Sequence, residues 1–181
     1  LPKIEKSRIL ESLKLKKNDY FLVTAHRTEN VDNKASLKNI FLGLEKISKT
    51  FRKKIIYPIH PRTMSKINKL EIPKGIKLIK PLGFFDFSKL EKNAFCLITD
   101  SGTIPEEALF FQKPCVTIRT TTERPEIIEA GSNILSGLSP ENILQSTQTI
   151  TSKKPDWQWN KALGDGKTAR KVLNILAGNL Y

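Results

Sequence analysis

The sequence predicts an α/β protein, a Rossmann-like parallel sheet of strand order 3-2-1-4-5-6 flanked by helices. Three observations predict it. Apolar runs recur along the chain and end abruptly in polar turns. Segments with apolar residues at helical spacing separate most of these runs. Strand and helix therefore alternate, and such alternation builds a parallel sheet covered on both faces.

In order, residues 2–16 read as one basic helical segment with Ile4, Ile9, Leu10, Leu13 and Leu15 as an incomplete apolar stripe. Residues 1–18 are thus assigned as a linker or docking helix. Residues 20–24 form the first strand, and Ser36 to Phe51 a helix through Leu37, Ile40, Phe41, Leu44 and Ile47. Residues 54–59 form a second strand, followed by a short helix carrying Met64, Ile67 and Leu70. Residues 76–79 form a third. Leu82 to Phe87 reads as an aromatic loop leading into a short helix through Leu90. Phe95–Thr99, the run around Val116–Ile118 and the weaker Asn133–Leu135 complete the strands. A helix spans 140–150, a loop with two tryptophans follows, and a last amphipathic helix carries Val172, Leu173 and Leu176. The core unit is assigned to residues 19–163 and the terminal helix to 164–181.

At 181 residues the chain suits one ordinary domain with a real core. No apolar run approaches the ~20 residues that span a bilayer, and the first residues lack the apolar stretch of a signal peptide. Residue 1 is not Met, which suggests a fragment or a processed chain. Thirty-one Lys plus Arg against 18 Asp plus Glu give a net charge of +13. That charge attracts anions such as nucleic acid, acidic membrane or a phosphorylated small molecule, or it merely solvates helix faces. Cys96 and Cys115 lie in apolar runs and read as small buried hydrophobes of a reducing compartment.

In the predicted order, strands one and four are neighbours at the point where the order reverses, the crevice where ligands bind. Strand one delivers His26 and Arg27 there, strand four Asp100, Ser101, Gly102 and Thr103, strand five Arg119 and a Thr/Glu/Arg cluster, strand two His60. Ser101-Gly102-Thr103 opens a helix whose free N–H groups suit a phosphate. One such helix end contributes only ~0.3–1 kcal/mol, so other groups must hold a ligand with it. Thr103 and Glu106 match a capping box. Glu107 is left either as a solvated acid at a helix start or as an acceptor for ribose hydroxyls. A histidine such as His26 hydrogen-bonds a diphosphate or exchanges protons near neutral pH; His60 either does so or only turns the chain. Phe84, Phe85 and Phe87 read as core residues, with one of them available to stack on a uracil ring. No His/Cys/Asp pattern has metal-ligand spacing.

VTAHRTENVDN at 23–33, DSGTIPEEA at 100–108 and TTERPE at 121–126 resemble signature segments of the non-hydrolysing UDP-N-acetylglucosamine 2-epimerase family, and GDGK at 164–167 is similar to that family's ending. The resemblance implies one half, the carboxyl-terminal half, of a GT-B fold, with a UDP-sugar held between it and an amino-terminal Rossmann-like domain. It implies His26 near the diphosphate and reacting sugar, Ser101, Gly102 and Thr103 on phosphate, Glu107 on ribose, Arg124 in the nucleotide site and Phe87 near uracil. Residues matching Arg27 and His60 help bind an activating second UDP-sugar in bacterial members, but His60 here stands in HPRT rather than an HLNP-like segment. Thr103 replaces a more frequent Gly.

The implied reaction eliminates UDP to a 2-acetamidoglycal and re-adds it with C2 inverted, interconverting UDP-N-acetylglucosamine and UDP-N-acetylmannosamine without NAD or metal. Its principal acids and bases lie largely in the amino-terminal domain, so the isolated chain is expected to bind UDP without epimerising. The expected setting is cytoplasmic, serving cell-surface polysaccharide biosynthesis, with a UDP-sugar and the amino-terminal domain as partners, no cofactor, and neither nucleic acid nor membrane. A homodimer of the full-length protein is left open. Another UDP-2-acetamido sugar as substrate, or a GT-B glycosyltransferase half, is the alternative.

Overall fold

The computed structural model describes residues 1–67, 71–159 and 163–178. Its strands are β1 (Tyr20–Thr24), β2 (Lys54–Pro58), β3 (Ile76–Ile79), β4 (Cys96–Thr99), β5 (Cys115–Thr117) and β6 (Asn133–Leu135). They form one sheet of order β3-β2-β1-β4-β5-β6, parallel at every pairing. The predicted order holds. In register, Val23 sits beside Ile98 and Thr24 beside Thr99, which brings the ends of β1 and β4 level at the switch point.

Strand alternation sorts the core into two layers. Phe21 and Val23 point to the side covered by α4 (Lys34–Phe51) and α9 (Pro140–Thr151). There they meet Leu37, Ile40, Leu44, Ile47, Ile143 and Ile150. Tyr20 and Leu22 point to the other side, under α6 (Phe84–Asn93) and α7 (Ile104–Phe110), with Leu90, Ala94, Ile104 and Ala108. Asn33 starts α4 by accepting the N–H groups of Ala35 and Ser36 at 2.9 and 3.1 Å. At Gly43 a Cβ would lie 3.0 Å from Ile143 Cδ1; the missing side chain lets α4 and α9 approach closely.

Several details depart from the sequence reading. The single helix expected over 2–16 is two short ones, α1 (Pro2–Glu5) and α2 (Ile9–Leu13). Ser7 breaks it: its hydroxyl donates to Asp86 at 2.6 Å and accepts the Ile9 N–H at 3.2 Å. Both helices lie against α6, with Ile4 buried and Lys89 reaching Glu5 at 2.6 Å. A short α3 (Thr28–Val31) occupies what reads as loop. The aromatic "loop" is instead the first turn of α6, entered from an extended Gly83. Phe84 and Phe85 are exposed there rather than core, and they pack edge to face on each other. Helix α5 (Pro61–Ile67) buries Ile67 but leaves Met64 exposed, and the expected contribution of Leu70 lies outside the described residues.

Between β5 and β6 lies α8 (Pro125–Glu129), and α10 (Thr168–Gly178) ends the described chain. Val172, Leu173 and Leu176 of α10 are exposed, so this amphipathic helix does not complete the core. Cys96 and Cys115 are buried free thiols, pushed up by burial. No described helix is long and apolar enough to cross a membrane.

Candidate nucleotide site

Because all strands run the same way, the polar segments that follow β1, β2, β4 and β5 come out on one rim. Asp100 ties it together. Its side chain is fully buried, and one oxygen accepts three donors: the N–H groups of His26 and Arg27 at 2.9 and 2.8 Å and Asn30 Nδ2 at 3.1 Å. Its other oxygen lies 3.6 Å from His26 Nδ1, too long for a hydrogen bond, and accepts from no described donor. The Ala25 carbonyl just before is held by the Tyr57 hydroxyl at 2.6 Å and the Thr63 hydroxyl at 3.0 Å. His26 is therefore fixed through the backbone on both sides, while its ring stays half exposed.

The rim has two parts. In the first, Thr24, Ala25, His26, Pro58, His60, Pro81, Leu82 and Phe87 line a cleft of ≈ 150 Å³. The His26 and His60 rings lie 6.1 Å apart, tilted by 38°. The structure thus brings together the predicted His26, His60 and Phe87.

The second part is built on the turn after β4. Ser101 N–H donates to Thr99 Oγ1 at 2.9 Å, and Thr99 in turn shares a 2.7 Å hydrogen bond with Thr24 across the two central strands. Ser101 Oγ accepts the Thr103 N–H at 3.3 Å. The Gly102 N–H donates to no described atom. A Cβ at Gly102 would meet Arg27 Nη2 at 3.6 Å and Glu123 Oε2 at 3.8 Å, ordinary contacts. The fold does not demand glycine here; close approach of a ligand to the backbone would.

The expected capping box is not formed. Thr103 has a helical backbone, φ −99° and ψ −32°, and makes no side-chain cap, while Glu106 turns outward to pair with Arg124. That pairing holds Arg124 over α7 and raises its guanidinium's pKa further. Glu107, by contrast, faces a buried carboxyl, that of Glu91 on α6. Arg119, nearly buried, forks onto Glu123 at 2.7 and 2.5 Å. These bonds from Arg119 hold the Glu123 carboxyl down at about 2. Arg27 faces Glu29 at 3.5 Å and Glu123 at 3.7 Å. Each of these arginines already has a carboxylate, so the surplus of positive charge is not gathered at this rim. No group of three or more His, Cys, Asp or Glu is placed to hold a metal ion among the described residues.

The sequence profile of the family described as UDP-N-acetylglucosamine 2-epimerase matches residues 1–177. The chain belongs to this family. The UDP-N-acetylglucosamine 2-epimerase of Methanococcus maripaludis is 46% identical over 172 residues, which cover 91% of this chain and 46% of that protein. Among solved structures, the Methanocaldococcus jannaschii UDP-GlcNAc 2-epimerase in complex with UDP-GlcNAc and UDP superposes with a TM-score of 0.87 at 41% identity. It covers 98% of this chain and 50% of that one. The Rickettsia bellii UDP-N-acetylglucosamine 2-epimerase gives 0.88 at 35% identity, covering 98% and 49%. The chain therefore spans about half the length of the curated relatives it matches, and its sheet is one half of their GT-B fold.

Within this epimerase-family half, sequence reasoning missed three features of the site. It named Asp100 only as a residue delivered to the rim and not as the acceptor that organises it. It missed the Arg119–Glu123 fork, whose partners are four residues apart outside any helix. It also missed Glu91. A signal for Glu91 was present: Phe87, Leu90, Glu91 and Ala94 recur at helix spacing, so a glutamate stands on an apolar stripe.

Proposed function

We propose that this chain is the UDP-binding half of an enzyme that interconverts UDP-N-acetylglucosamine and UDP-N-acetylmannosamine. The observation that carries the proposal is the rim itself: segments 77 residues apart in sequence, at His26 and Thr103, meet where β1 and β4 end. In this reading the Ser101–Thr103 turn takes the diphosphate, with the Gly102 N–H as donor. Glu107 accepts the ribose hydroxyls, Arg124 lies alongside in the nucleotide site, and Phe87 packs near the uracil. His26 stands by the diphosphate and the sugar, where an imidazole hydrogen-bonds an oxyanion or passes a proton. His60 lines the cleft beside His26, Arg27 lies next to the Gly102 turn, and these two are the residues for a second, activating UDP-sugar.

The reaction is elimination of UDP to a 2-acetamidoglycal and re-addition with C2 inverted. It needs an acid and a base about the sugar, and we assign most of these to the amino-terminal half of the GT-B fold, which lies outside this chain's 181 residues. The isolated chain then binds UDP but does not epimerise. We assign UDP binding to residues 19–163, a docking segment to 1–18 and a carboxyl-terminal helix to 164–181. The buried free thiols Cys96 and Cys115 support a cytoplasmic setting, in which the product would serve cell-surface polysaccharide.

Calorimetric titration with UDP tests the site. Binding by the unaltered chain that Glu107→Ala abolishes is the expected result. Undiminished binding by Glu107→Ala would refute the ribose assignment, and turnover of UDP-N-acetylglucosamine by the chain alone would refute the division of labour.

A further inference from the structure

Glu91 is a fully buried carboxyl on the layer formed by Tyr20, Leu22, Leu97, Ala108 and Cys115. Neither of its oxygens accepts from a donor of the described residues in bonding geometry. The polar groups that face it are the Glu107 carboxyl, from α7, and the Ser88 hydroxyl on its own helix. Cys115 of β5 lies against it as well. Tyr20 of β1 is engaged elsewhere, its hydroxyl donating to the Leu90 carbonyl at 2.6 Å. Glu5 of α1 is held by Lys89 and Lys92 of α6.

Two ionised carboxylates are acceptors only, so the Glu91–Glu107 contact becomes a hydrogen bond only when one of them carries a proton. Burial first, and then the adjoining Glu107, push the Glu91 carboxyl well above the usual carboxylate range. At neutral pH the proton therefore sits on Glu91. Glu107 is only half-buried and can present its second oxygen to the rim. Phe87 stands one helical turn before Glu91, on the same face of α6, so one helix reaches both the cleft and Glu107.

We propose that Glu91 is a positioning residue for Glu107: the buried carboxyl donates a hydrogen bond to one Glu107 oxygen and leaves the other for the hydroxyls of a ribose. The proposal rests on reading Glu107 as the ribose ligand. A free glutamate loses rotamer freedom when it grips a ligand, whereas one already held has less to lose. Loss of the Glu91 proton sets two like charges side by side and drives Glu107 out of position.

Two variants separate donor from bulk. Glu91→Gln keeps an N–H donor without a titratable proton; Glu91→Leu keeps apolar volume without a donor. At neutral pH the Gln variant is expected to bind UDP within about twofold of the unaltered chain, and the Leu variant about tenfold or more weakly, the effect of one charge-assisted hydrogen bond. In a pH series into the alkaline range, the unaltered chain loses affinity beyond the loss shared with Glu91→Gln. Ionisation of the uracil ring is common to both proteins and cancels. A folded Glu91→Leu variant that binds UDP as the unaltered chain does would overturn the proposal. So would a Gln variant as weak as the Leu variant, or coincident alkaline profiles of the unaltered and Gln proteins. The last comparison decides if the Leu variant does not fold. Binding lost in Glu107→Ala but kept in Glu91→Leu removes the positioning role alone, whereas no binding by the unaltered chain removes the nucleotide site itself.

Discussion

Replacing Asp100 by Ala deletes the one acceptor shared by the His26 N–H, the Arg27 N–H and the Asn30 amide, at 2.9, 2.8 and 3.1 Å. Hydrogen bonds to a charged acceptor contribute about 1.5–3 kcal/mol each, and an orphaned buried donor costs about 1–3 kcal/mol. His26 and Arg27 lie at the rim, where water reaches part of the gap, so the lower ends of these ranges apply. Asn30 is buried and loses the nearer of its two acceptors, keeping the Ile118 carbonyl at 3.3 Å. The sum is a loss of roughly 3–5 kcal/mol, a large part of the ~5–15 kcal/mol that holds a domain folded. Asp100→Asn keeps one carbonyl oxygen in place and should lose only about 1 kcal/mol. Urea unfolding followed by tryptophan fluorescence and far-ultraviolet circular dichroism measures both. An Ala variant within about 0.5 kcal/mol of the unaltered chain, the range of ordinary surface changes, would refute the view that Asp100 braces the rim.

Two further outcomes follow from the same geometry. Gly43→Ala places a Cβ 3.0 Å from Ile143 Cδ1 and 3.2 Å from its Cβ; overpacking of about 1–3 kcal/mol outweighs a helix-propensity gain of up to about 1 kcal/mol, so the unfolding midpoint should fall. The Glu123 carboxyl, held at about 2 chiefly by Arg119, has a folded-state pKa below its unfolded one. Its contribution is present above the ordinary value of 4.5 and is lost as pH falls towards about 2. Carboxyl NMR titration should show this, and in Arg119→Ala the titration should move back up towards 4.5.

The sheet was legible because buried parallel strands are short apolar runs, which β1 to β5 show plainly and the partly buried β6 more weakly. What the period could not carry was anything shorter than a helical face. Four-residue helices such as α1 and α3 have no stripe, and Ser7 splits α1 from α2 through a hydrogen bond to Asp86, 79 residues away. At the rim, His26 and Ser101–Thr103 were visible as polar residues following apolar runs. Their organiser was not, because the donors that meet on Asp100 are 70 to 74 residues distant. The capping box that separated Glu106 from Glu107 in the sequence does not form. Glu106 answers to Arg124 and not to a cap, since the helical backbone of Thr103 leaves its hydroxyl uncommitted to one.

Backbone amide NMR of the chain titrated with UDP locates the nucleotide on the protein residue by residue. Shifts are expected to concentrate at Gly102, Thr103, Glu107, Arg124 and the His26 loop. A basic hollow at the opposite ends of the strands, with Lys17, Lys92, Lys113, Lys153 and Lys154, is the natural rival for any anion. Shifts centred on Lys113 with a silent rim would rule out nucleotide binding at the ends of β1 and β4.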